Sequence, residues 1–216
     1  GDLDAATSGS NNVIIGNLSA VAATSATRNT VVGDNAGRCL VDTGCNALFG
    51  VYAGQRMRGS YNVAFGAHAL TGSSTASNNT GTHNIGVGAC AGSAMTSGGN
   101  NVFLGGSAGK CTTTSSSSVY LGNSAGKCMQ TGAMNIAMGS SALMGSSTPG
   151  NNTGGCNIVF GKEAGGVMTS GNQNVLIGCK AGNALTTAER NVYLGSAAQS
   201  TATGNDIIAA GFGAAT

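Results

Sequence analysis

Asn174-Val175-Leu176-Ile177-Gly178-Cys179-Lys180-Ala181-Gly182 decides the reading of this chain, because near-copies of it recur along the whole sequence. Asn157-Ile158-Val159-Phe160-Gly161-Lys162-Glu163-Ala164-Gly165 precedes it and Asn191-Val192-Tyr193-Leu194-Gly195-Ser196-Ala197-Ala198 follows it. The register glycines are Gly16, Gly33, Gly50, Gly66, Gly88, Gly105, Gly122, Gly139, Gly161, Gly178 and Gly195, at a nearly constant spacing, with a degenerate further copy near 205–211. Self-similarity at a fixed period is the signature of a solenoid, in which each repeat buries its apolar face only against its neighbours. The prediction is an all-β parallel solenoid, a β-roll or β-helix of about 11–12 turns with a 17-residue period, spanning 12–211 between a lead-in at 1–11 and a tail at 212–216.

Each turn repeats the same columns. Asn stands four before the glycine and Ala three after it, as in Asn62/Gly66/Ala69, Asn135/Gly139/Ala142 and Asn174/Gly178/Ala181. Stacked Asn amides can satisfy backbone groups at a corner. The glycine suits a tight corner, and the Ala column predicts a second short strand pressed against a neighbour. Ser118 is the exception in the Asn column. The positions three and one before the glycine are mostly Val, Ile, Leu, Phe or Met, and their alternation assigns them to the coil interior. The position between them is also mostly apolar (Val31, Leu48, Phe103, Tyr120, Leu176, Tyr193), which predicts an outward face covered by a second copy of the chain.

Two turns carry matching five-residue insertions, at 72–81 and 145–154, four turns apart. Repeat proteins place variable function in such projections. Ser73, Ser74, Thr75, Asn78 and Asn79, with Ser146, Ser147, Thr148, Asn151 and Asn152, are therefore the candidate receptor-contact residues; an inert spacer loop is the alternative. In the same two turns the residue four after the glycine changes from Gly to Leu70 or Leu143, which suggests pins for the longer loops.

Composition narrows the function classes. Apolar residues make up 41% of the chain and recur periodically, which argues for order despite 38 glycines. A net charge of +2 gives no reason to expect nucleic acid or an anionic membrane as a partner, and no apolar run is long enough for a transmembrane helix. Gly1-Asp2-Leu3-Asp4 reads as the start of a fragment or processed segment. The carboxylates are few (Asp2, Asp4, Asp34, Asp42, Glu163, Glu189, Asp206), whereas a glycosidase needs two within about 5–10 Å. Asp34 and Asp42 fall in one turn and are a weak catalytic pair. No nucleophile elbow or phosphate-binding loop occurs, and no catalytic, cofactor or metal site is expected. No Thr-x-Thr ladder supports ice binding. Lys110, Lys127 and Arg38 share a column and form a candidate basic stripe, or simply a solvated one.

Seven cysteines include no CxxC pair. Cys111 and Cys128 stack on adjacent turns, and Cys39 and Cys45 sit across one loop. Both spacings permit disulfides without requiring them, and small apolar residues in a column is the other reading.

The unit Asn-[Val/Ile]-x-[Ile/Leu/Phe]-Gly-x-x-Ala-[Gly/Leu], closest in 62–70 and 135–143, resembles the NTAIGYxAL-type repeat of bacteriophage tail fibres and tailspikes, and is similar to the head repeats of trimeric autotransporter adhesins of the YadA type. The adhesin repeat is shorter than the repeat in this chain, which implies a larger cross-section here. The resemblance implies a homotrimer and a structural attachment role: a shaft or head segment of a viral tail fibre, located on the virion, that contacts a cell-surface glycan or other host receptor. The alternatives are a bacterial surface adhesin or a self-assembling extracellular filament, with a carbohydrate-active β-helix enzyme less favoured.

Overall fold

The computed structural model describes residues 9–148, 152–198 and 204–214. The fold is a parallel β-solenoid. Each turn contributes one three-residue strand: β1 (Val13–Ile15), β2 (Thr30–Val32), β3 (Ala47–Phe49), β4 (Val63–Phe65), β5 (Ile85–Val87), β6 (Val102–Leu104), β7 (Val119–Leu121), β8 (Ile136–Met138), β9 (Ile158–Phe160), β10 (Val175–Ile177), β11 (Val192–Leu194) and β12 (Ile208–Ala210). The strands form one 12-stranded sheet in sequence order, and the turn carrying a given strand is called a rung of the same number. Pairing is in register throughout, for example Val102 with Val119 and Leu104 with Leu121. Among the described residues the only helical element is the 3-10 turn Ala76–Asn78 inside the first insertion. The coil runs past both expected boundaries. Arg28 N donates to Ser10 O (3.0 Å) and Gly213 N to Ser196 O (3.1 Å), so residues 9–11 and 212–214 belong to its ends.

The inside and outside of the sheet are the reverse of the sequence expectation. The middle residue of each strand points into the coil: Val31, Leu48, Phe103, Tyr120, Val159, Leu176 and Tyr193 are fully buried. The flanking positions point outward, with Val13 at 52%, Ile15 at 57% and Phe65 at 59% exposure. Among the described residues this is the only sheet, so its outer face has no partner layer within the chain.

The Ala column corrects a second expectation. Ala69, Ala142 and Ala181 do not lie in a second strand; each closes a turn, its backbone N donating to the register glycine carbonyl of Gly66, Gly139 or Gly178 (3.2 Å in all three). All three are fully buried, so the column is small because it faces the packed interior, not because two strands press together. A further turn follows in most rungs. In rung 7, Ala125 N donates to Gly122 O (3.2 Å) and Met129 N donates to Gly126 O (3.1 Å). The first turn requires a left-handed residue before the alanine, which is His68, Ser141 or Lys180 in the three rungs above and Ser124 at φ 58 in rung 7. That position, and the one five before the register glycine, is left-handed along the coil. Among the described non-glycine residues with positive φ none is Val, Ile or Thr, because a branched Cβ is least tolerated there. The register glycine serves a different need. Gly105 has φ 132, and a Cβ on it would lie 2.5 Å from the carbonyl oxygen of Gly122 on the next rung.

Inside, the core is filled by compensation between two columns. In rungs 2, 3, 6, 7, 9 and 10 the inward strand residue is large and the residue four after the glycine is Gly: a Cβ at Gly109 would sit 2.5 Å from the Phe103 ring and one at Gly126 2.4 Å from the Tyr120 ring. Where the inward residue is Ala64 or Ala137, that position is Leu70 or Leu143, both buried. These leucines fill the core, which is a more direct role than pinning a loop. Leu70 also covers the next rung, whose inward residue is Gly86; a Cβ there would lie 2.8 Å from Leu70 Cγ. Packing volume is thus shared between neighbouring rungs and not supplied by one fixed side chain in each.

The Asn column is a buried hydrogen-bond ladder. Asn46 donates from its backbone N (2.9 Å) and Nδ2 (3.1 Å) to Asn29 Oδ1, and Nδ2 also donates to Gly59 O (3.1 Å). One side chain thus ties three rungs together. The ladder also crosses the longer rungs, where Asn62 Nδ2 donates to Gly81 O (3.0 Å) and Asn135 Nδ2 to Gly154 O (2.8 Å). At Ser118 the duties of the missing amide are divided. Ser118 Oγ accepts from Asn135 N (3.2 Å), and Ser115 Oγ donates to Gly132 O (2.6 Å). The two hydroxyls are 3.1 Å apart, and the inward Tyr120 is fully buried on the same rung. The Tyr120 hydroxyl lies near Ser118, Asn135 and Ser115 but meets no partner in good hydrogen-bond geometry. Burial pushes its phenol up from 10.0, with those three polar neighbours acting the other way.

The core and the buried phenol set the expected stability effects. Leu70→Ala should cost about 2–5 kcal/mol in urea unfolding. It should cost more than Leu143→Ala, because the rung after Leu70 has Gly86 inward and the rung after Leu143 has Val159. Tyr120→Phe removes an unpaired buried hydroxyl and should be neutral or stabilising by about 1 kcal/mol. The folded-state phenol is raised, so its contribution is fully present below pH 10.0 and is lost as pH rises through the folded value. The alkaline fall in stability should therefore be shallower in Tyr120→Phe.

Candidate functional site

The coil offers three surfaces that could meet a partner: the outer sheet face, the insertions and the turn columns. The outer sheet face is the most extensive. Two parallel stripes of apolar side chains run along it, among them Val63, Phe65, Ile85, Leu104, Ile136, Met138, Ile158, Ile177 and Leu194, all between 37% and 59% exposed. Phe49 and Phe65 pack at 5.8 Å between ring centroids on adjacent rungs. Tyr52 stacks on His68 (4.9 Å) and Tyr61 on His83 (4.8 Å), so both histidines of the chain are aligned with a tyrosine one rung away.

The first insertion is folded back on itself by one side chain. Asn79 is buried; its Oδ1 accepts from Ser73 N (3.0 Å) and Ser73 Oγ (3.0 Å), and its Nδ2 donates to Ser73 O (3.0 Å) and Arg56 O (3.1 Å). Asn152 repeats this in the second insertion, accepting from Ser146 N (3.1 Å) and Oγ (3.2 Å) and donating to Ser146 O (2.8 Å). Of the candidate contact residues, Asn79 and Asn152 are thus internal anchors. Ser73 and Ser146 are half-buried, while Ser74, Thr75, Asn78, Ser147 and Thr148 are exposed. Asn151 lies outside the described residues.

Below the first insertion lies an open groove of about 440 Å³, lined by Ser77, Asn78, Thr80, Thr96, Ser97 and Thr114, with no charged side chain. Thr96 Oγ1 is committed to Thr113 O (3.1 Å) on the next rung. The matching positions around the second insertion are Thr153, Thr169, Ser170 and Thr187. Sequence reasoning missed the contribution of Thr96, Ser97 and Thr114. Their signal was the recurrence of Thr-Ser at 96–97 and 169–170, in the rung following each insertion.

The ionisable residues are dispersed. Asp34 accepts from Asn17 Nδ2 (3.1 Å), whereas Asp42 accepts from Ser25 Oγ, so each is engaged with a different residue of the preceding rung. Glu163 pairs with Lys162 (3.5 Å) and Lys180 (3.6 Å). Glu189 and Asp206 converge on Arg190, at 3.2 and 2.7 Å. Hydrogen bonding to Arg190 holds the Asp206 carboxyl below its ordinary range, the opposite of what a general acid requires. Among the described residues no cluster of three His, Cys, Asp or Glu side chains is placed to hold a metal ion. Arg38 and Lys110 are exposed and Lys127 half-buried, in line with a solvated stripe.

No family model matches the chain, and no curated protein and no solved structure matches it.

Asn79→Ala should release the first insertion without disrupting the ladder, since Asn79 lies outside the Asn column. The lost bonds are worth about 1–3 kcal/mol locally. Limited proteolysis should cut within 72–81 before the coil unfolds, and leave 145–154 protected as in the unaltered chain.

Proposed function

We propose that this chain is a structural segment of an attachment fibre, a shaft or head region that assembles from three copies and carries exposed insertions toward a host surface. The observation that carries this reading is the outer sheet face, an apolar stripe two side chains wide along the length of a one-sheet coil. With 12 rungs about 4.8 Å apart, it extends about 55 Å as one continuous apolar seam. Three copies about a common axis turn three such stripes into a shared core. The resemblance of the repeat to phage tail-fibre and trimeric adhesin repeats supports three, and it supports a place on a virion or a cell surface. A bacterial surface adhesin and a self-assembling extracellular filament are the alternatives that use the same face.

The exposed hydroxyls and amides of the insertions, with the uncharged groove beside the first, suit an uncharged surface glycan better than an anionic polymer. The rungs themselves are committed to stacking, and none of the paired carboxylates stands free for hydrolysis.

Light scattering on the full chain is expected to give about 62 kDa, three times 20.8 kDa. Replacing the outward Leu104 and Leu121 by Glu should yield monomer that retains its β-sheet circular dichroism, since neither side chain contributes to the coil interior. A stable unaltered monomer would overturn the reading.

A further inference from the structure

Seven cysteines lie half-buried or exposed on the coil, and none is joined to another. Their columns separate them. The column neighbours of Cys39 are Ala22 and Arg56, those of Cys45 are Arg28 and Tyr61, those of Cys156 are Met134 and Gln173, and Cys90 and Cys179 occupy two further columns. Cys111 and Cys128 alone are neighbours in one column on adjacent rungs, at the same offset after Gly105 and Gly122.

The backbone holds these two in register. Gly109 N donates to Ala125 O (2.9 Å), Cys111 N to Lys127 O (2.8 Å) and Thr113 N to Gln130 O (3.0 Å). Parallel segments stacked in this way place equivalent Cα atoms about 4.8 Å apart, inside the range of about 4.4–6.8 Å that a disulfide spans. Burial and then the neighbouring Cys111 push the Cys128 thiol up, while Lys127 and Lys110 act in the opposite sense. Both cysteines are half-buried, which leaves them open to a small reagent. They stand beyond the glycine corner, away from the outward sheet residues, and so stay accessible in an assembly built on the sheet face.

We propose that Cys111 and Cys128 form an oxidisable dithiol, which a low-molecular-weight disulfide converts into a disulfide clipping rung 6 to rung 7. One cysteine thiolate attacks a sulfur of the small disulfide, forming a mixed disulfide and releasing one small thiol. The second cysteine thiolate then attacks the protein-side sulfur, which forms the Cys111–Cys128 bond and expels the second small thiol. The two protein thiols lose two protons and two electrons, and the small disulfide gains them. The loop closed between Cys111 and Cys128 restricts the unfolded chain, and the clip lies between the two insertion-bearing rungs.

The test is oxidation of the full chain by oxidised glutathione, read by peptide mapping under non-reducing conditions. The expected product is a single linked peptide pair joining Cys111 to Cys128, about 2 Da lighter than the sum of its reduced halves. A stable glutathione adduct on each of the two, a bond between chains through them, or preferential linkage of another pair would overturn the proposal. The urea midpoint of the oxidised chain should rise and return to its starting value with reductant. Cys111→Ser should abolish that shift and leave Cys128 as a glutathione adduct, while Cys45→Ser should preserve the clip. An unchanged midpoint in a chain shown by mapping to be clipped would overturn the stabilising role.

Discussion

The buried Asn ladder is the constraint on which the coil depends. A short strand of three residues supplies few hydrogen bonds of its own, and the backbone bonds that join turn to turn, such as Cys111 N to Lys127 O (2.8 Å), do not check which side chains face each other on neighbouring rungs. An amide with one acceptor and two donors does, because Asn46 is satisfied only when Asn29 above and Gly59 below are both in place. An unpartnered amide at such depth is costly, so a slip by one residue is disfavoured at every rung together. The serine pair at 115 and 118 shows that the requirement is for the bonds rather than for asparagine. At the far end of the described coil, Ile207 N still donates to Asn191 Oδ1, but Ile207 has no amide to extend the ladder.

Once register is fixed, volume becomes the remaining problem, and it is solved locally. Rung 5 has glycine at both core positions, Gly86 and Gly92, and relies on Leu70 from the rung before and Phe103 from the rung after. Each rung is thus fitted to its neighbours and to no distant part of the chain, as expected for a quasi-one-dimensional fold. The insertions occur on the two rungs that carry the compensating leucines, so a longer loop and a rearranged core travel together through the four-turn unit.

Much of this was legible in the sequence. The period, the strand positions, and the Asn, Gly and Ala columns all follow from repetition. The orientation of the sheet did not follow from alternation. A period of two separates residues into two sets without saying which set is inside, and the Val/Ile-rich set at the flanking positions resembled a core. The deciding signal was present but lay in a pair of columns. Small Ala64 and Ala137 coincide with Leu70 and Leu143, and large Phe103 and Tyr120 with Gly109 and Gly126; only residues that share a space need to covary in size. The second strand was expected from Ala69, Ala142 and their column, although the glycine that follows Ala in most rungs already pointed to a left-handed turn that no strand can contain. The groove was hidden because Thr96, Ser97 and Thr114 come from rungs other than the inserted one.

The left-handed columns have a consequence of their own. They hold Tyr52, His68, Cys90, Ser107, Glu163 and Lys180 in one file, and Arg28, Cys45, Tyr61, His83, Met134 and Arg190 in another. Aromatic, sulfur-bearing, acidic and basic side chains are all accepted there, and none of those described is branched at Cβ. Along its two edges the coil is a lattice of interchangeable addresses at a pitch of about 4.8 Å. A lineage could rewrite the pattern of charge and aromaticity displayed along those edges, one letter at a time, while the buried scaffold stayed the same.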